Sequence, residues 1–146
     1  MPRFFVQPEG PRPDFRLVIT FLWGDSHNVD TDGNSHNPAS RDWTCLYAQN
    51  RECEHEIVEV GPFSEHPLIL QVDSPIPELA ARVAWFLAKE TNSKVAPEPA
   101  GAWHDVSWLK TQVGSFDLTE AEQRASLSCW RRATLDDPYP NLRNSS

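Results

Sequence analysis

Cysteine, glycine and basic residues are all scarce in this chain, and each scarcity removes a class of explanation. Three cysteines, Cys45, Cys53 and Cys129, are an odd number at no framework spacing, which argues against a disulfide-stapled scaffold and suits a reducing compartment. Six glycines are spread along the chain with no glycine-rich phosphate loop and no strand–helix–strand crossover pattern, which disfavours a nucleotide enzyme. Lys and Arg number 13 against 21 Asp and Glu, a formal charge of −8. Phosphate binding needs clustered base, so neither nucleic acid nor an anionic membrane is expected as a direct partner. No apolar run reaches the length of a signal peptide or a membrane span, and the expectation is a cytoplasmic protein.

What remains supports a packed globule. Hydrophobic residues make up 39%, with six Trp and seven Phe in 146 residues. That length fits a single domain over 1–146, large enough to bury a core without metal or disulfides.

The local patterns alternate between strand and helix signals. Arg3 to Val6 has the composition of a short edge strand, and Pro8, Pro11 and Pro13 forbid regular pairing beyond it. Phe15 to Trp23 puts Phe15, Leu17, Ile19, Phe21 and Trp23 at alternate positions, predicting a central strand. Gly24 to Arg41 is rich in Gly, Asp, Asn and Ser and reads as a long loop. Asp42 to Ala48 predicts a strand with Trp43, Cys45 and Tyr47 on one side. Glu54 to Val60 and Leu68 to Val72 predict an antiparallel pair across a Gly-Pro-rich connector.

Helical signals follow. Ser74 as N-cap with Pro75 behind it opens a helix to Glu90 that is apolar almost all round, so it is expected to be covered on more than one side. Trp103 to Val113 fits a short helix ended by Gly114, with His104 and Trp108 one turn apart. Thr119 and Glu122 form a capping box for a helix running to about Ala133. Asp137 to Ser146, with Pro138-Tyr139-Pro140, is expected to be extended. The fold class predicted is α+β, a mainly antiparallel four-stranded sheet followed by three helices packed largely on one face.

The most distinctive composition lies between Asn50 and Val72. Glu52, Glu54, Glu56, Glu59 and Glu65 stand there against a single Arg51. Acid concentrated in one place attracts base. With Trp43 and Tyr47 predicted beside them, Glu52, Glu54, Glu56 and Glu59 have the composition of an aromatic anchor inside an acidic rim, as protein-binding hot spots do. On an edge strand the same acids would simply discourage aggregation.

Motifs for chemistry are few. Leu22-Trp23-Gly24-Asp25-Ser26, followed by Asp30, Asp32, Gly33 and Asn34, resembles the first block of the GDSL serine esterases, where a strand delivers a Gly-Asp-Ser turn. The resemblance implies Ser26 as nucleophile. The family's Gly-x-Asn-Asp block and its late Asp-x-x-His have no counterpart. Asp30 to Asn34 also places oxygen ligands at alternate positions, but an EF-hand needs Gly and Glu where Ser35 and Arg41 stand. Cys45, Cys53, His55 and His66 lack the spacing of a zinc site, and no cofactor is expected.

In character the chain is similar to the immunity proteins of bacterial toxin systems, which are small, acidic and without catalytic motifs. That likeness implies a basic protein partner such as a toxin domain, neutralised by binding. A serine hydrolase using Ser26, and an acidic mimic of nucleic acid acting on a DNA-binding protein, are the alternatives.

Overall fold

The computed structural model describes residues 3–140. Six strands, β1 (Arg3–Val6), β2 (Val29–Gly33), β3 (Leu46–Asn50), β4 (Ile57–Glu65), β5 (Leu68–Asp73) and β6 (Val95–Ala96), form one sheet. Its order is β2-β3-β4-β5-β1-β6, and every neighbouring pair is antiparallel. Three α-helices accompany it: α1 (Phe15–Trp23), α2 (Pro77–Thr91) and α3 (Leu118–Leu127). The class is α+β, as the composition of the segments implied, with six strands rather than four.

The largest departure from the sequence pattern is α1, expected as a central strand. Its alternation of apolar residues is real, but Leu17, Val18, Phe21 and Leu22 also fall on one helical face, and these, with Thr20, are the residues it buries. Local signals fix the choice. Asp14 caps the first turn, its Oδ1 accepting from Arg16 N at 3.0 Å, and its carboxylate is held by the Arg16 guanidinium. Gly24, at φ 99°, ends the helix while its N–H donates to Thr20 O at 2.9 Å. Tertiary packing overrides the strand preference of Val18, Ile19 and Thr20. Phe21 stacks on Phe86 of α2 with ring centroids 4.5 Å apart.

Helix α2 is the core helix expected. Ten of its residues are buried, among them Leu79, Val83, Phe86 and Leu87. It packs across β1, β4 and β5, with α1 at its side and α3 beyond α1. Its start is two residues later than the Ser74 cap implied. Pro77 keeps Ile76 out of helical geometry and takes the first helical position itself. Ser74 instead ties the strand end to the helix, its Oγ donating to Ile57 O at 2.6 Å and accepting from Ile76 N at 3.1 Å.

Smaller corrections share that character. Strand β1 lies between β5 and β6 rather than at an edge. The Gly24 to Arg41 stretch contains β2, so only part of it is loop. Residues 103–113 hold a single 3-10 turn, Val106–Leu109, although His104 and Trp108 do stack, with centroids 4.4 Å apart. Asp117, not Thr119, caps α3, and the helix stops at Leu127 with a 3-10 turn over Cys129–Arg132 behind it. The tail as far as Pro140 lies against α1, where Arg16 donates to Pro138 O at 2.6 Å and covers the rings of Trp130 and Tyr139. The remainder of the tail is outside the described residues. No helix among the described residues is long and apolar enough to cross a membrane.

Candidate functional site

Antiparallel register decides which side chains share a face. Leu46, Ala48, Val58, Val60, Leu70 and Val72 are buried under the helices. The alternate residues therefore point from the opposite, open face. Across that face Asp32 is paired with Tyr47, Tyr47 with Glu59, Glu59 with Asp73, and Asp73 with Arg3. Five strands thus contribute one continuous row, three carboxylates and a tyrosine closed by a single arginine. Asp30, opposite Gln49, adds a fourth carboxylate in the neighbouring row.

Two side chains in the row are oriented by a neighbour on their own strand. Tyr47 donates its hydroxyl to Gln49 Oε1 at 3.0 Å, and Gln71 donates to Asp73 Oδ2 at 2.7 Å. Asp73 Oδ1 is shielded from solvent and has no hydrogen bond, with Arg3 Nε 3.3 Å away. Asp30 Oδ1 lies 3.5 Å from Arg51 Nε, both half exposed, a contact worth little. Glu59 is exposed and has no ion pair among the described residues. Shallow hollows flank it. One of about 330 Å³ is bordered by Asp32, Tyr47 and Glu59, the other of about 180 Å³ by Glu59, Gly61, Gln71 and Asp73.

The six residues singled out in the sequence are separated by this geometry. Tyr47 and Glu59 stand together on the open face. Glu52 and Glu54 are exposed in the turn between β3 and β4, because β4 begins at Ile57 rather than at Glu54. Glu65, at the far end of β4, is about 26 Å from Ile57 at ordinary strand rise. Glu56 turns inward, its Oε1 accepting from Trp23 Nε1 at 2.8 Å and Asn50 Nδ2 at 3.1 Å. Burial works to raise the Glu56 carboxyl, but hydrogen bonds from Asn50, Trp23 and Cys53, with the charge of Arg82, hold it below its ordinary value.

Trp43 is displaced furthest from expectation. It precedes β3, so strand alternation never applied to it, and it is 1% exposed. Its Nε1 donates to Pro13 O at 2.8 Å, pinning the β2–β3 connection to the segment before α1. A partner cannot touch this ring without opening the core. Sequence reasoning does not assign Asp73, Gln71 or Arg3 to a site, and it weighs Asp30 and Asp32 only as part of the Gly-Asp-Ser block and as cation ligands. Asp30 and Asp32 sit in a stretch whose Gly, Asp, Asn and Ser content reads as a long loop, although Val29-Asp30-Thr31-Asp32 does alternate.

Other motifs resolve into local structure. Gly24-Asp25-Ser26 follows a helix, not the strand of the GDSL arrangement. Asp25 Oδ1 accepts from Thr20 and Ser128 hydroxyls, and the neighbouring His27 directs Nε2 to Asn50 Oδ1 at 2.7 Å. Asp30 and Asp32 belong to a strand instead of a cation loop. No group of three or more His, Cys, Asp or Glu side chains among the described residues is placed to hold a metal. A larger hollow of about 640 Å³ lies away from the sheet, beside Pro11, Arg12, Asp42 and Leu135. There Arg12 is bonded to Trp43 O and Gly10 O, and Asp42 to Ser40. Those charges serve the loop's own structure.

No protein-family model matches the chain, and no curated protein or solved structure matches it either.

Proposed function

We propose that this protein is a small acidic binding domain that neutralises a basic protein partner, and that the partner docks on the open face of the sheet. The observation that carries the reading is the in-register row Asp32–Tyr47–Glu59–Asp73. Carboxylates directly opposite one another on adjacent strands repel, so Glu59 facing Asp73 costs stability in the free protein. A cation from a partner would relieve that repulsion, and Tyr47 supplies an amphipathic ring at the centre of the acids. Net charge adds steering, since −8 on a chain this size draws basic proteins from a distance.

This role is of the kind immunity proteins play toward toxin domains. A mimic of nucleic acid would present paired acidic rows at phosphate-like spacing, whereas these acids gather around one tyrosine. The serine-hydrolase alternative has less support, because the Ser26 turn lacks the strand that would deliver a nucleophile.

Immobilised wild-type protein, a Tyr47→Ala/Glu59→Gln variant and a Ser26→Ala variant, each exposed to lysate of the source cell, test the proposal. Wild type and Ser26→Ala should retain the same basic protein, and Tyr47→Ala/Glu59→Gln should lose it. Ester hydrolysis by wild type that disappears in Ser26→Ala would replace this reading with the enzymatic one.

A further inference from the structure

The two ends of the sheet are finished differently. At one end β6 is only two residues long, and Val95 is covered by His104, each N–H donating to the other's carbonyl at 2.9 and 2.7 Å. At the other end β2 has five residues with nothing paired on its outer side among the described residues.

Hydrogen-bond parity shows which groups that outer side offers. Arg51 N donates to Asn28 O at 3.0 Å and Asn34 N to Cys45 O at 3.3 Å, so the even-numbered residues of β2 bond toward β3. Val29, Thr31 and Gly33 therefore turn their backbone groups outward. The outward Gly33 N–H is taken by Asp32 Oδ1 at 2.8 Å, while those of Val29 and Thr31 remain open. Edges of this kind are ordinarily blunted with charged side chains, proline or a bulge. Strand β2, Val-Asp-Thr-Asp-Gly, has no proline or bulge, and its two acids repel an acidic strand while leaving the edge open to a basic one.

We infer that β2 is a docking strand, to which an extended segment of the partner adds as a further strand of the sheet. The inference rests on the partner being basic, as proposed above, and specifies how it is held. The two faces beside β2 define the segment's sequence. On the open face, Asp30 and Asp32 would sit across from its outward side chains and select Lys or Arg. On the helix side, two hollows of about 150 and 230 Å³ open beside Thr31 and share the half-buried Phe15; the smaller adds Cys45 and Leu46, the larger Ile19 and Trp130, with Asp25 and His27 at its border. These take apolar side chains. The chemistry recognised is thus a strand alternating basic with apolar residues, bound through main-chain hydrogen bonds and read by alternate side chains. A second copy of this chain fits poorly, because pairing β2 with β2 would bring Asp30 and Asp32 of both copies onto one face.

The probe is a blocked synthetic peptide of alternating lysine and valine, with binding measured by fluorescence anisotropy. Thr31→Pro deletes an outward N–H that bonds nothing within the protein, at an edge where proline is tolerated. The peptide should bind wild type and Thr31→Val alike, and Thr31→Pro at least roughly tenfold more weakly with the melting temperature unchanged. Should Thr31→Pro fail to fold, the same peptide N-methylated on the residues facing β2 decides the matter, and it should not bind wild type. Absence of binding by the unmodified peptide, or equal binding to wild type and Thr31→Pro, overturns strand addition. So does a dimer in sedimentation that Thr31→Pro dissolves, which would assign the edge to a second copy. Failure here leaves the open-face reading standing, since that is judged on Tyr47 and Glu59 against the whole partner.

Discussion

Glu59 and Asp73 stand directly opposite each other on adjacent antiparallel strands, with Tyr47 in register on one side and Arg3 on the other. Folding gains nothing from facing two carboxylates. Arg3 lies near Asp73 and offers Glu59 no ion pair. The proposed basic partner would supply the cation that this arrangement lacks.

Removing one of the two charges should therefore stabilise the free protein. Glu59→Gln keeps the shape and is expected to raise the unfolding free energy by roughly 0.2–1 kcal/mol, an advantage that shrinks as salt screens the repulsion. Urea denaturation at low and high salt measures it. A variant less stable than wild type at low salt would mean that Glu59 has a favourable role within the fold.

Glu56 should behave in the opposite way. Its folded carboxyl is held below the ordinary 4.5. A depressed carboxyl contributes stability that is fully present above the unfolded value and lost as pH falls through the folded one. Glu56→Gln should lower stability at neutral pH, with the gap to wild type closing as pH falls below the ordinary carboxylate range. Urea midpoints across that range test this, and a gap independent of pH would contradict it.

Trp43 and Tyr47 should separate stability from binding. Trp43→Ala empties a buried site and breaks the bond to Pro13 O, so a loss of roughly 3–5 kcal/mol is expected. Tyr47→Ala should change stability by about 0.5 kcal/mol or less and speed partner dissociation at least roughly tenfold. Denaturation and dissociation kinetics on the same pair of variants distinguish the roles. Equal effects of both on stability would remove Tyr47 from the binding surface.

The core assignment has its own test. Val83→Asp or Leu87→Asp places an unpaired charge between α2 and the sheet, costing roughly several kcal/mol. Unfolding in urea no easier than wild type would show that α2 is not the centre of the core.

Much of this architecture was legible in the sequence for a physical reason. The α2 helix is apolar on nearly every side and can only be buried, and β4 and β5 carry strand periodicity on either side of a turn. In segment 15–23 nine residues with few polar markers satisfy both periods, and the deciding signal is Asp14 before it and Gly24 after it. At the site, Tyr47 and Glu59 came out together because each lies inside its strand. Glu52, Glu54 and Glu56 were grouped with them only by sequence proximity, and the turn before Ile57 breaks that grouping. Asp32 and Asp73 joined the site through register between distant segments, which no local pattern contains.

The central claim is that the open face of the sheet meets a basic partner, and association kinetics test it most directly. The association rate of the captured partner is to be measured at low and moderate salt for wild type, for Asp32→Asn/Glu59→Gln on the open face, and for Glu52→Gln/Glu54→Gln in the turn. Rim charges act chiefly on the rate of encounter. The open-face variant should associate more slowly with a shallower salt dependence, and by more than the turn variant, which removes the same charge elsewhere. Association by the open-face variant equal to wild type at both salts would contradict the account.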